Sequence, residues 1–259
     1  MPKWSAALVA FVVTTSMLFG AGVAAAAAPV PTGTHFSGLS FAPVYAGGSK
    51  TTSTNWAGYA VTGSSGSVTK VSAKWVEPAV KCSATNSLAA FWIGIDGYSS
   101  LTVEQTGTIA ECYSGIAYYG VWWEMYPTNA VQVYATITPG DHFSAYVVFN
   151  GGSSFTMSIT DTTTNTTWAT TASQTATETS AEWIAEAPCC SSGSTTYPLA
   201  DFGHVSFTYA RATVSGHSHG IGNFSSYVAI TMVTASKTDR AVPSTLTTST
   251  SFKVTWKHS

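Results

Sequence analysis

Apolar and polar residues alternate with a period of two along much of this chain. Val131, Val133, Ala135 and Ile137 interleave with Gln132, Tyr134, Thr136 and Thr138. A strand sends successive side chains to opposite faces, so this pattern predicts one face on a core and one in solvent. Pro139-Gly140-Asp141 turns the chain, and Phe143, Ala145, Val147 and Phe149 resume the alternation. Asn150-Gly151-Gly152 is a hairpin signal because these residues tolerate the positive φ that tight turns demand. Phe155, Met157 and Ile159 form the return strand. The same period recurs at Val205, Phe207 and Tyr209, at Val228, Ile230 and Met232, and at Phe252, Val254 and Trp256. Roughly a dozen strands joined by short turns predict an all-β sandwich. Thr162–Thr171 is expected at a strand edge or loop, and Ser244–Ser251 in a loop before a final strand.

The N-terminus breaks the pattern. Lys3 precedes an apolar stretch, Ala6–Leu18, and a run of small residues, Gly20–Ala28. This order predicts an export signal over residues 1–28, too short and too soon interrupted for a membrane span. Residues 29–52 are rich in Pro, Gly, Ser and Thr and read as a propeptide or linker. One domain is expected over 53–259, opening with Ser53-Thr54-Asn55-Trp56-Ala57-Gly58-Tyr59. An exported chain is an oxidised one, and its four cysteines are Cys82, Cys112, Cys189 and Cys190. Three pairings are possible. Cys82 with Cys112 is the preferred bridge, because each lies in a turn-like stretch flanking the strands around Gln105, whereas a Cys189–Cys190 bridge is strained.

Composition sharpens the picture. Hydrophobic residues make up 45% of the 259, enough for a sizeable core, but charged residues only 8%, against roughly 25% in an average protein. Acid denaturation acts mostly through paired carboxylates, so a chain with few of them suits an acidic medium. A net charge of −2 offers no basic footprint for nucleic acid. A soluble, secreted, extracellular monomer without a membrane partner is the default expectation.

The common hydrolytic motifs are missing. There is no G-x-S-x-G elbow, no H-E-x-x-H and no C-x-x-C spacing for zinc. Asp96-Gly97-Tyr98 does not match an aspartic-protease triplet. His217-Ser218-His219 would place two imidazoles on one face if it were a strand, but its flanking Gly216 and Gly220 predict a flexible loop and no metal. What stands out is a set of acids and amides in apolar, strand-like stretches. Phe91-Trp92-Ile93-Gly94-Ile95-Asp96 ends in an acid, and Trp122-Trp123-Glu124-Met125-Tyr126 holds one among aromatics. Ala181-Glu182-Trp183-Ile184-Ala185-Glu186 carries two acids four apart, on one face of a strand. Read alone, Glu124, Glu182 and Glu186 are structural acids, solvent-facing or hydrogen-bonded. With Gln105 they are also enough for hydrolysis, since a carboxylate can activate water and an amide can hold an oxyanion.

The ordered series Trp56-Ala57-Gly58-Tyr59, Trp92-Ile93-Gly94-Ile95-Asp96-Gly97, Glu104-Gln105-Thr106-Gly107, Trp123-Glu124-Met125-Tyr126-Pro127 and Ala181–Glu186 resembles the glutamic peptidases (eqolisins). Pro198-Leu199-Ala200-Asp201-Phe202-Gly203 adds to the likeness, which spans about residues 53–235. The resemblance implies a lectin-like β-sandwich of two antiparallel sheets with a concave groove, a polypeptide substrate and no cofactor. It implies Gln105 and Glu186 as the catalytic pair, Asp96, Glu124 and Trp92 in supporting roles, and Trp56 and Tyr126 as groove residues. Glu104 and Met125 depart from the fungal pattern, as do the cysteines, which points to a bacterial-type branch. Asp96 and Glu124 are expected to tune the acidity of Glu186. The competing reading is a lectin-like module that stacks sugars on its aromatics; a surface adhesin is a third.

Overall fold

The computed structural model describes residues 39–40, 50–98, 100–133, 135–190 and 196–259. The export signal expected over 1–28 lies outside them; of 29–52, only Leu39–Ser40 and Lys50–Thr52 fall within. In chain order the described strands are β1 (Leu39–Ser40), β2 (Lys50–Ser53), β3 (Trp56–Thr62), β4 (Val68–Val76), β5 (Ser87–Ile95), β6 (Val103–Tyr113), β7 (Ile116–Tyr126), β8 (Val131–Val133), β9 (His142–Gly151), β10 (Ser154–Asp161), β11 (Thr166–Ser173), β12 (Ser180–Glu186), β13 (Cys189–Cys190), β14 (His204–Val214), β15 (His217–Gly220), β16 (Tyr227–Val233), β17 (Asp239–Pro243) and β18 (Phe252–Trp256).

Hydrogen bonding links most of them in the order β11-β10-β9-β4-β14-β18-β17-β16-β3-β12-β5-β6-β7-β8. The long β14 joins two layers: His204–Phe207 pairs with β18, and the residues from Thr208 onward pair with β4. The layer β4-β9-β10 packs face to face on β5, β6 and β12. Trp75, Phe91, Phe143, Phe155, Trp183 and Phe207 fill the space between them, with Trp75 stacked on Phe143 at 5.9 Å between ring centroids. This is the all-β, two-layered antiparallel sandwich that the alternation predicts.

The hairpin of β9 and β10 turns at Gly151 and Gly152, both with positive φ. The Thr-rich run supplies the edge strand β11, whose threonines pair side by side, as in Thr160–Thr167 at 2.8 Å. Two expectations change. The alternation from Val131 ends as a strand at Val133, although Ile137 is still buried. Tyr209, expected inward with Val205 and Phe207, is 64% exposed. Its φ of +51° sits in an irregularity between Thr208 and Arg211, a bulge that flips the inward phase to Ala210 and Ala212.

The disulfide joins Cys82 to Cys112, as expected. Lys50–Ser53, taken mostly as linker, forms β2 and pairs in parallel with β16. His217 and His219 lie on β15, not in a loop, with rings 6.2 Å apart and nearly parallel. Among the described residues no three His, Cys, Asp or Glu converge as metal ligands.

Candidate active site

The central strand β12 is flanked by β3 and β5, with Glu186 opposite Trp56 and Ala90, and Glu182 opposite Ala60 and Gly94. On β6, Gln105 pairs with Gly94 of β5 and with Glu124 of β7. Strand alternation therefore puts Glu182, Glu186, Gln105, Glu124, Trp92 and Trp56 on one face, turned away from the core between the layers. Gly94 is what lets them close up. A Cβ there would lie 3.0 Å from the Trp92 ring and 3.1 Å from the Gln105 Cβ. Gly107, in the Gln-Thr-Gly run, has a similar duty, since its Cβ would lie 2.8 Å from the Trp92 Cα. Glu104 falls on the opposite face, as alternation requires, and accepts a hydrogen bond from the Gln174 amide at 2.7 Å.

This face carries its own apolar cluster: Trp56, Ala90, Trp92, Val103, Ile109, Trp122 and Ile184, with Tyr126 and Ala130 against it. Leu39 belongs to the same cluster and is buried. Its carbonyl accepts from the Ala130 N–H at 3.2 Å, and Leu39–Ser40 pairs with Cys189–Cys190. A short extended piece of the N-terminal segment thus bridges the loop after β7 and the segment after β12. The acids beneath are not the solvent-facing groups of the plainer reading: Glu124, Glu182 and Glu186 are all fully buried.

Glu186 is gripped on both oxygens. Trp92 Nε1 donates to Oε2 at 2.9 Å, and Asn55 Nδ2 donates to Oε1 at 3.1 Å. Burial pushes its carboxyl well above the usual carboxylate range, and the N–H groups of Trp92, Asn55 and Trp56 pull it back. The Trp56 indole contributes by proximity, because its N–H lacks hydrogen-bond geometry; its ring meets Trp92 edge-on at 4.8 Å. Gln105 Nε2 donates to Glu124 Oε2 at 2.7 Å, which fixes the plane of the amide.

Asp96 plays a different part from the one expected. It is not among the groups that set the acidity of Glu186. Asp96 instead accepts the N–H groups of Thr177, Glu178 and Thr179 at 2.7–2.8 Å, with both threonine hydroxyls. It thereby fixes the entry into β12. Its charge acts on Glu182 and Glu104, raising both further above the burial effect. Asn55 was missed along the sequence because Ser53-Thr54-Asn55 stood only as the opening of the domain.

Fold and site define a class of protein: an all-β sandwich with a buried carboxylate and a buried amide on one strand face. The profile of the Peptidase A4 family matches residues 54–256, and the chain belongs to this family of glutamic peptidases. Aspergillopepsin-2 of Aspergillus niger is 32% identical over 194 residues, which span 65% of this chain and 67% of that protein. The crystal structure of scytalido-glutamic peptidase with a transition state analog inhibitor superposes with a TM-score of 0.68 at 25% identity, covering 79% of this chain and 98% of that one. Aspergilloglutamic peptidase from Aspergillus niger superposes with a TM-score of 0.58 at 30% identity, covering 66% and 99%. The protein is a glutamic-type endopeptidase and its substrates are polypeptides.

Proposed function

We propose that Glu186 and Gln105 are the catalytic pair of a secreted endopeptidase that works in acid without a covalent intermediate. The observation that carries this reading is their shared face, with Glu186 held by two N–H donors and Gln105 anchored by Glu124. Glu186 as carboxylate takes a proton from water, and the hydroxide formed attacks the scissile carbonyl carbon. The Gln105 amide donates to the oxyanion of the tetrahedral adduct, a contribution of roughly 3–4 kcal/mol for such a donor. Glu186, now protonated, returns the proton to the amine as the C–N bond breaks. An amide cannot ionise, so one carboxyl serves as base and then acid.

Trp56 and Tyr126 border the face and would contact the peptide. Burial of Glu186 disfavours the base form, so opening the face to water lowers its pKa and brings the working range toward acid. Residues 1–28 act as the export signal and the part of 29–52 that precedes β2 as a removable leader; the mature protein is a soluble monomer of a bacterial-type branch. No helix among the described residues is long and apolar enough to cross a membrane.

The test is cleavage of an unfolded protein from acidic to neutral pH by the wild type and by Glu186→Gln and Gln105→Ala, each checked for fold. Acid-favoured cleavage lost in Glu186→Gln and cut by roughly 10²–10³ in Gln105→Ala is expected. Substantial turnover by folded Glu186→Gln refutes the assignment.

A further inference from the structure

The hydroxyl of Ser53 has a fully determined set of hydrogen bonds. It accepts the Asn55 N–H at 3.1 Å and the Trp56 N–H at 2.9 Å, and it lies 2.8 Å from Asn55 Oδ1. A hydroxyl has two acceptor lone pairs and one hydrogen. With both lone pairs engaged, the hydrogen must go to the third partner, and that partner must be the amide oxygen. The orientation of the Asn55 amide is therefore not arbitrary. Its oxygen is held by Ser53, and its NH₂ is turned to Glu186 Oε1. The flipped amide would set NH₂ against a hydroxyl hydrogen and a carbonyl oxygen against a carboxylate.

We propose that Ser53 is a positioning residue of the peptidase, acting through Asn55 to aim the Glu186 carboxylate and hold it ready to accept a proton. This inference rests on Glu186 being the catalytic base. The scaffold that delivers Ser53 is independent of the catalytic strands. Ser53 ends β2 and pairs with Met232 of β16, while the Asn55 carbonyl accepts from the Ala187 N–H at 2.8 Å, just past Glu186. All members are buried, so water does not compete for these bonds and each one weighs more than it would at the surface.

The relay predicts a distinctive signature. Removing the hydroxyl takes away the hydrogen bond that holds the Asn55 amide oxygen, so the N–H donor to the carboxylate is aimed less well and its ionised form is less favoured. The acid limb of the kcat/KM profile should then rise. Other titratable groups on the packed elements are Glu182 on the same strand, Glu111 on β6, Glu124 on β7 and Arg240 on β17, whose guanidinium donates to the Thr54 carbonyl at 2.9 Å. None of them is hydrogen-bonded to the Ser53 hydroxyl, whose partners are Asn55 and Trp56.

The experiment is the pH dependence of kcat/KM for wild type, Ser53→Ala, Ser53→Thr, Asn55→Ala and the double variant Ser53→Ala/Asn55→Ala, with thermal unfolding alongside and Glu186→Gln as reference. Ser53→Ala is expected to move the acid limb up by about one pH unit, with about tenfold lower kcat/KM below it. Ser53→Thr restores the limb. Asn55→Ala shifts it comparably, and the double variant shifts it no further than Asn55→Ala alone, as two links of one chain should. A Ser53→Ala enzyme that melts earlier but keeps the wild-type limb overturns the relay and leaves Ser53 a structural residue. Additive shifts in the double variant overturn it too. Should Ser53→Ala fail to fold, Asn55→Ala alone decides, since an unmoved limb there removes the link through which Ser53 acts. A folded Glu186→Gln that still cleaves would instead strike at the identity of the base.

Discussion

Raising the pH should unfold this protein more readily, the reverse of acid denaturation. Ten of its 12 acidic residues are buried, the exceptions being Asp201 and Asp239. Glu77 continues the inward phase of β4 and is 1% exposed. Burial pushes its carboxyl from the usual 4.5 up to about 8, against the weaker opposing pull of Thr108. Glu104 is fully buried and rises to about 8 for the same reason, with Asp96 adding to it. A folded pKa above the unfolded one means the native state holds a proton that the unfolded state has lost. The stability this brings is complete below 4.5 and drains away as pH climbs from there toward 8. From pH 5 to 7 the unfolded carboxylate ionises and the folded one does not, which costs about 2.5 kcal/mol per group at about 1.36 kcal/mol per pH unit. Glu77 and Glu104 together cost about 5 kcal/mol, comparable with the whole stability of a marginal domain. The surface pair Lys81–Asp201, with its lysine 81% exposed, offers almost nothing in return. Urea unfolding at pH 4, 5, 6, 7 and 8 reads the effect directly. Wild type should fall steadily between pH 5 and 7, and Glu77→Gln, which cannot ionise, should lose about 2.5 kcal/mol less over that range, the remainder coming from Glu104, Glu111, Glu182 and Glu186, which burial raises as well. A stability that is flat or rising over that range, or an unchanged slope in Glu77→Gln, would refute the reasoning.

The other predictions concern the site. Glu124→Gln replaces the carboxyl oxygen that fixes the Gln105 amide with an amide that can present NH₂ to it, and should lower kcat by about tenfold with KM little changed; steady-state kinetics at one pH suffices. Gly107→Ala places a methyl group against the Phe91–Trp92 backbone and should destabilise by about 1–3 kcal/mol or more, measured by thermal unfolding, with activity falling as Trp92 is pushed from Glu186. Leu39→Asp puts a charge into the apolar cluster over the catalytic face, so the full-length chain should gain activity and its optimum should move toward acid. An untrimmed wild type as active as the trimmed protein would count against that cover.

What could be read along the chain was whatever repeats locally. The β9–β10 hairpin, the disulfide and the common face of Glu182 and Glu186 all follow from period-two alternation and short-range turn chemistry. Tyr209 escaped because one inserted residue at a bulge reverses the phase of everything after it, and no local feature of Phe207-Thr208-Tyr209-Ala210 announces the insertion. Asn55 escaped for a different reason. Its partner Glu186 is 131 positions away, and the two meet only because β3 and β12 are neighbours in the sheet. Ser53, Asn55 and Trp92 are ordinary residues in isolation; their value arises where three strands bring N–H groups to one carboxylate. The scarcity of charge made the acids conspicuous, yet it invited the wrong account of how they are tuned. Asp96, which the motifs put near the site, does not act on Glu186. Burial raises the carboxyl and neutral donors pull it back, and that suits the chemistry. A neighbouring charge would shift Glu186 strongly but would itself titrate over the acid range in which the enzyme operates. Indole and amide N–H groups do not titrate over that range, so their hold on the ionised form of Glu186 does not itself change with pH.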